Sequence, residues 1–164
     1  MKQQKLFYDK TKKYFGGSLL KNSNPKTKRP FSSKAPMHIV LKARFYCLRD
    51  QRVKKRIEKY ARKNFIKVYQ LQIMSNHIHL VLRSKNKDNL NSFLRIICGL
   101  IPRLLNKTRI WLYRPFSRII SWGKDYQGIK DYIKINSLQA QGFSKQEARL
   151  QLKRPHLFKR QTLI

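Results

Sequence analysis

The 164-residue sequence predicts an α+β domain of the ferredoxin-like (RRM-like) kind, an antiparallel sheet with helices on one face, followed by an additional helix. Three observations carry that expectation. Segments with apolar residues at every second position alternate with segments of helical spacing, in the order strand, helix, strand, strand, helix, strand. Ser75-Asn76 supplies turn chemistry between the two middle strands, as a hairpin needs. The chain is long enough for one domain with a core plus an arm or tail, and too short for two comfortable domains.

Residues 1–36 hold Lys and Arg throughout, a Gly16-Gly17 pair and the turn-rich stretch NSNPKTKRPFSSKAP, without apolar periodicity. This predicts a basic, flexible N-terminal arm. From Met37 the pattern changes. In HIVLKARF, Ile39, Leu41, Ala43 and Phe45 alternate with His38, Val40, Lys42 and Arg44, which predicts a strand with one face on the core and one basic face open. Asp50 can cap a first helix whose stripe is Val53, Ile57, Tyr60 and Ala61. Residues 65–73 and 77–83 then form the hairpin. A second helix opens at Asp88 or Asn89, with Leu90, Phe93, Leu94, Ile97, Leu100, Ile101 and Leu104 as a broad apolar face and an expected kink at Pro102. Residues 116–122 read as a fourth strand.

A third helix starts near Lys124, carries Ile129, Tyr132, Ile133 and Asn136, and stops at Gly142, a suitable C-terminal cap. Ser144 with Glu147 forms a capping box before a last short basic helix ending near Pro155. The expected organisation is an arm at 1–36, a main domain at 37–143 and a basic helix and tail at 144–164.

Charge narrows the partner. Lys and Arg total 39 against 7 Asp and Glu, a net charge of +32. So large a like-charge excess repels itself across a compact fold unless a polyanion binds, so nucleic acid is the expected partner and its affinity should fall steeply with salt. No apolar run approaches a spanning helix, no secretory apolar region is visible at the start, and no myristoylation glycine follows Met1. A membrane is therefore not expected as a partner, and the location expected is the cytoplasm, on the nucleoid. Cys47 and Cys98 lack CxxC spacing and read as small buried apolar residues in a reducing compartment.

The stretch MSNHIHLVLR, residues 74–83, could do chemistry. Alternation puts Ile78, Leu80 and Leu82 on the core, so His77, His79 and Arg83 project from the opposite face. Two imidazoles two residues apart can converge on one divalent cation, although polar residues on a solvated sheet face would read the same way. On the third helix Tyr132 and Asn136 are four apart and share a face, with Gln139 about a turn further and Lys134 nearby. A tyrosine hydroxyl can attack a metal-activated phosphate; the plainer alternative is that Tyr132 packs with Ile129 and Ile133 as core.

MSNHIHLVLR resembles the His-hydrophobic-His signature of single-tyrosine HUH transposases, with Ser75 where their usual form has proline. DYIKINSLQAQGF resembles the helix that bears their catalytic tyrosine, with an amide or histidine ligand four residues later. The resemblance is closest to the insertion-sequence-200-like group and its relatives associated with repetitive extragenic palindromes (REP). It runs from about Met37 to Phe143 and includes the basic, aromatic WLYRPFSRIISW segment. Ser137 departs from the proline that often follows the asparagine in the palindrome-associated relatives.

The resemblance implies cleavage and rejoining of single-stranded or hairpin DNA, dependent on a divalent metal, Mg²⁺ or Mn²⁺, through a 5′-phosphotyrosine. On this reading Tyr132 is the nucleophile and His77, His79 and Asn136 hold the metal. Lys42, Arg44, Arg83, Arg114 and Arg118 contact DNA, and Arg149, Lys153, Arg154, Lys159 and Arg160 extend the phosphate track. His38 reads as a DNA contact and His156 as solvated. Monomer and homodimer both stay open, since the tyrosine helix can complete its own site or a partner's. A different class also stays open: a non-catalytic single-stranded DNA- or RNA-binding protein on the same sheet scaffold.

Overall fold

The structure of the chain, a computed structural model, describes residues 15–16 and 29–153. Its elements are β1 (Phe15–Gly16), β2 (Met37–Lys42), α1 (Gln51–Lys63), β3 (Ile66–Ile73), β4 (His77–Ser84), α2 (Lys87–Leu104), β5 (Phe116–Ile119), α3 (Lys124–Gln139) and α4 (Lys145–Lys153). The sheet runs β1-β5-β2-β4-β3, with every neighbouring pair antiparallel. Without the two-residue edge strand β1, that order is the ferredoxin-like one expected from the sequence. The chain divides into two compact units, one ending at Trp122 and one beginning at Gly123.

In the first unit the core forms where alternation and helical periodicity meet. Met37, Ile39, Leu41 and Ala43 join Ile78, Leu80 and Leu82 of β4, the stripe Val53, Ile57 and Ala61 of α1, and Leu90, Phe93, Leu94, Ile97 and Ile101 of α2. Asp50 caps α1 by accepting from the Arg52 N–H at 2.7 Å. Helix α2 starts earlier than expected because Asn86, not Asp88 or Asn89, supplies the cap, accepting from the Asp88 N–H at 2.8 Å.

Pro102 lies inside α2, two residues before its end. Proline has no N–H for the carbonyl four residues back, so the Cys98 carbonyl needs another donor. The Trp111 indole Nε1–H supplies it at 2.8 Å, which ties the loop after α2 to the helix.

Three strand boundaries differ from expectation. Strand β2 stops at Lys42, because Arg44–Tyr46 bend away; Phe45 therefore leaves the core and Arg44 is on a loop, not on the strand face. Phe65 takes a positive φ of 55° and is exposed, so β3 begins at Ile66. Strand β5 ends at Ile119, and Trp122 donates from Nε1 to the Lys34 carbonyl at 3.2 Å.

Of the expected arm, Phe15 and Gly16 pair with Arg118 and Ser117 of β5, and Phe31 packs against the core. Most of the remainder lies outside the described residues, as do Arg154, His156, Lys159 and Arg160. In the second unit α3 ends where Gly142, at φ 100°, lets the Phe143 N–H reach the Leu138 carbonyl at 3.2 Å and its own N–H reach Gln139 at 3.1 Å. The capping box forms as read: Ser144 N–H donates to Glu147 Oε2 at 2.8 Å, and Glu147 N–H to Ser144 Oγ at 3.2 Å.

Candidate active site

In the ladder between β2 and β4, Val40 stands opposite His79, Lys42 opposite His77 and His38 opposite Val81. Alternation therefore places His38, Val40, Lys42, His77, His79 and Val81 on the face away from the core, as the sequence indicates. That face is not open at its centre. His38 is 5% and His79 3% exposed, and Val40 and Val81 are buried as well. Alternation reports which side a residue points to, not whether anything lies over that side. Lys42, His77, Arg83 and Arg118 are half-buried, while Arg44 and Arg114 are exposed on loops.

The two histidines of β4 sit with ring centroids 4.8 Å apart and planes perpendicular. Each uses its Nδ1 locally. His77 Nδ1 lies 2.7 Å from Asn76 Oδ1, an acceptor, so this nitrogen carries the proton. His79 Nδ1 lies 3.0 Å from Nε2 of His38, whose ring stacks on it at 5.2 Å. His38 is therefore a buried partner of His79 and not a surface DNA contact. The sequence carries no signal for either pairing: His38 and His79 are 41 positions apart, and Asn76 reads as turn chemistry alone.

All three imidazoles are biased to the neutral form. Burial, aided by the Arg118 charge, lowers His38 to about 4. Burial, with His38 and His77 nearby, lowers His79 to about 3. Burial and then Lys42 push His77 below its ordinary value. Neutral imidazole is the form that donates a lone pair to a metal. Among the described residues no three His, Cys, Asp or Glu side chains are grouped to hold a metal ion.

Tyr132 and Asn136 belong to α3 in the second unit, whereas His77 and His79 belong to the first. Tyr132 is 50% exposed while Ile133 beside it is fully buried, so Tyr132 is not a core tyrosine. Asn136 is half-buried, and Lys134 and Gln139 are exposed. Arg149 and Lys153 project from α4 to solvent. Cys47 and Cys98 are free thiols, half-buried as small core-edge residues, and burial pushes Cys98 up to about 11. Among the described residues no helix is long and apolar enough to cross a membrane.

Comparison with known proteins places this arrangement. No curated protein matches the chain in sequence. Among solved structures, a REP-associated tyrosine transposase bound to a REP hairpin superposes with a TM-score of 0.63 at 20% identity, covering 71% of this chain and 74% of that one. That likeness shows a shared fold. A candidate transposase from Deinococcus radiodurans aligns at 19% identity and a TM-score of 0.42, over 66% of this chain and 95% of its own. The family model described as IS200-like transposase matches residues 31–133, from the segment before β2 through Tyr132 on α3. With more than half of its length matched, the chain belongs to the IS200-like transposase family, and its function is that of a DNA transposase.

Proposed function

We propose that this transposase cuts and rejoins single-stranded or hairpin DNA with Tyr132 as nucleophile and a divalent cation, Mg²⁺ or Mn²⁺, held by His77, His79 and Asn136. The observation that carries the reading is the pair of neutral imidazoles on one strand face, each with its Nδ1 engaged by a neighbour. For His77 that arrangement favours Nε2 as the donor, and for His79 it does so in the tautomer whose Nδ1 donates to His38, as in metal sites where an outer partner sets the tautomer. The Asn136 carboxamide oxygen is the donor type the two histidines lack, and hard or borderline cations accept it.

The cation, when bound, polarises the scissile phosphate and offsets charge on the departing oxygen. Everything else falls to the chain. The Tyr132 oxygen attacks phosphorus and the bond to the 3′ oxygen breaks, leaving a 5′-phosphotyrosine and a free 3′-hydroxyl. The phenol's proton leaves to solvent, to which the ring is half exposed, and the 3′ oxygen takes one up. Attack of a 3′-hydroxyl on the phosphotyrosine reverses the bond changes and rejoins DNA. Lys42, Arg44, Arg83, Arg114 and Arg118 hold phosphates, which positions the strand without reading its sequence.

The test is incubation of the full chain with terminal hairpin DNA flanking its own gene, with and without Mg²⁺ or Mn²⁺. A metal-dependent covalent protein-DNA species supports the reading. Binding with no cleavage under any metal assigns the chain instead to DNA binding without strand transfer.

A further inference from the structure

We propose that the loop Arg44-Phe45-Tyr46 is a stacking platform for unpaired bases of single-stranded DNA, held at the end of the sheet that carries His77. The sequence pattern assigns Phe45 to the core, yet it is 47% exposed and Tyr46 is 80% exposed. Two neighbouring aromatic rings largely in water contribute little to folding, and they suit a ligand with apolar, flat faces.

The loop is exposed but firmly tethered. Ala43 and Leu48 are buried at either side of it. Ala43 N–H donates to the Asn76 carbonyl at 2.7 Å and Leu48 N–H to the Ser75 carbonyl at 2.9 Å, tying it to the turn that begins β4. Arg44 N–H donates to Ile110 at 2.7 Å and Leu112 N–H to Lys42 at 2.8 Å, while Ala43 bridges to Trp111. Trp111 is itself pinned to α2 through Cys98. A backbone so held presents the two rings at small entropic cost on binding, which favours affinity.

The surroundings select the ligand. Lys107 Nζ lies 5.6 Å from the Phe45 ring centroid, and Arg44, Lys107 and Arg109 are exposed cations on the paired segments. The acid nearest in sequence, Asp50, is taken by Arg52 at 2.7 Å. Aromatic faces interleaved with cations fit a strand whose phosphates are anionic and whose bases are free to stack. Duplex DNA is excluded because its bases already stack on each other. Lys42 pairs with His77 across the ladder, and Tyr46 lies four residues on, at most about 14 Å of extended chain. A base held there places its neighbouring nucleotides at the His77 end of the sheet.

The inference deepens the proposed function but rests only on its DNA-binding part, so a chain that binds without cleaving leaves it intact. The experiment measures anisotropy of labelled oligo(dT) and of a blunt duplex of equal length, with full-length protein at several salt concentrations. Phe45→Ala/Tyr46→Ala should weaken oligo(dT) binding about tenfold or more and change duplex binding less than about twofold. Its salt slope should match wild type, because stacking releases no counterions, whereas Arg44→Ala should lower the slope by about 0.7. Tyr46→Trp should keep the affinity, with the added indole emission quenched by oligo(dT). Equal loss on both DNAs, or no loss on oligo(dT), overturns the proposal.

Discussion

Nε2 of His38 on β2 lies 3.0 Å from Nδ1 of His79 on β4, in the buried centre of the sheet. One proton occupies that contact, and its owner decides what His79 can do. If His79 is to offer Nε2 to a cation, its Nδ1 carries the proton and His38 accepts. His38→Gln can keep an acceptor near the same place; His38→Phe keeps a flat ring and has none. Mn²⁺ affinity, followed by the resonance signal of free Mn²⁺, should fall about 10- to 100-fold in His38→Phe and stay near wild type in His38→Gln. Equal affinities in all three proteins would remove His38 from the site.

Acid should destabilise the fold before Asp50 or Glu147 titrates. His38 and His79, ordinarily near 6.5, are lowered to about 4 and about 3 mainly by burial. Between those values and 6.5 the unfolded chain binds more protons than the folded one, so stability is full above 6.5 and is lost as pH falls through this window. Asp50 and Glu147, held low by their hydrogen bonds, add their own loss only further down. The melting temperature should decline from pH 6.5 to 5, and His38→Phe should flatten that decline. A wild-type profile level over this range would contradict the burial of the pair.

Tyr132→Phe removes one oxygen from a half-exposed side chain and keeps the ring. DNA binding should survive, while strand cleavage and the covalent adduct vanish. Peptide mapping of the trapped wild-type adduct should place the nucleotide on Tyr132. An adduct on Tyr113 or Tyr126 would move the nucleophile and keep the reaction.

The two β4 histidines should differ in stability cost. His79→Ala leaves a gap in a buried place and strips His38 of its partner, a loss of about 1–3 kcal/mol. His77 is half-buried, so His77→Ala should cost less than about 1 kcal/mol and is the cleaner variant for cleavage assays. Urea midpoints rank them; a larger shift for His77→Ala would refute the burial argument.

The carbonyl that Pro102 leaves without a helical donor offers a double-mutant test. Trp111→Phe removes the indole N–H from Cys98 and should cost about 1 kcal/mol. Adding Pro102→Ala restores a backbone N–H for the same carbonyl, so the pair should be non-additive and the double variant should recover part of the loss. Additive urea midpoints would mean that the indole bond contributes nothing.

Much of the fold was legible because local signals and tertiary outcome agree. Val53, Ile57 and Ala61 fall on one stripe, and Asp50 and Ser144 are cap residues whose bonds form within three positions. The α2 start slipped to Asn86 because an asparagine in either place can cap, and only backbone geometry chooses. Phe45 slipped because alternation continues in the letters after the ladder has ended in space.

By itself the sequence determined the order of elements from β2 onward, the core side of those strands and the placing of His77 and His79 together on the other side, since side-chain direction follows from a two-residue period. Only the tertiary structure decided that this other side is closed at its centre, that His38 is the partner of His79, and that Phe45 and Tyr46 face solvent. Those outcomes depend on strand register and on contacts between residues tens of positions apart, and neither a period nor a local motif contains that information.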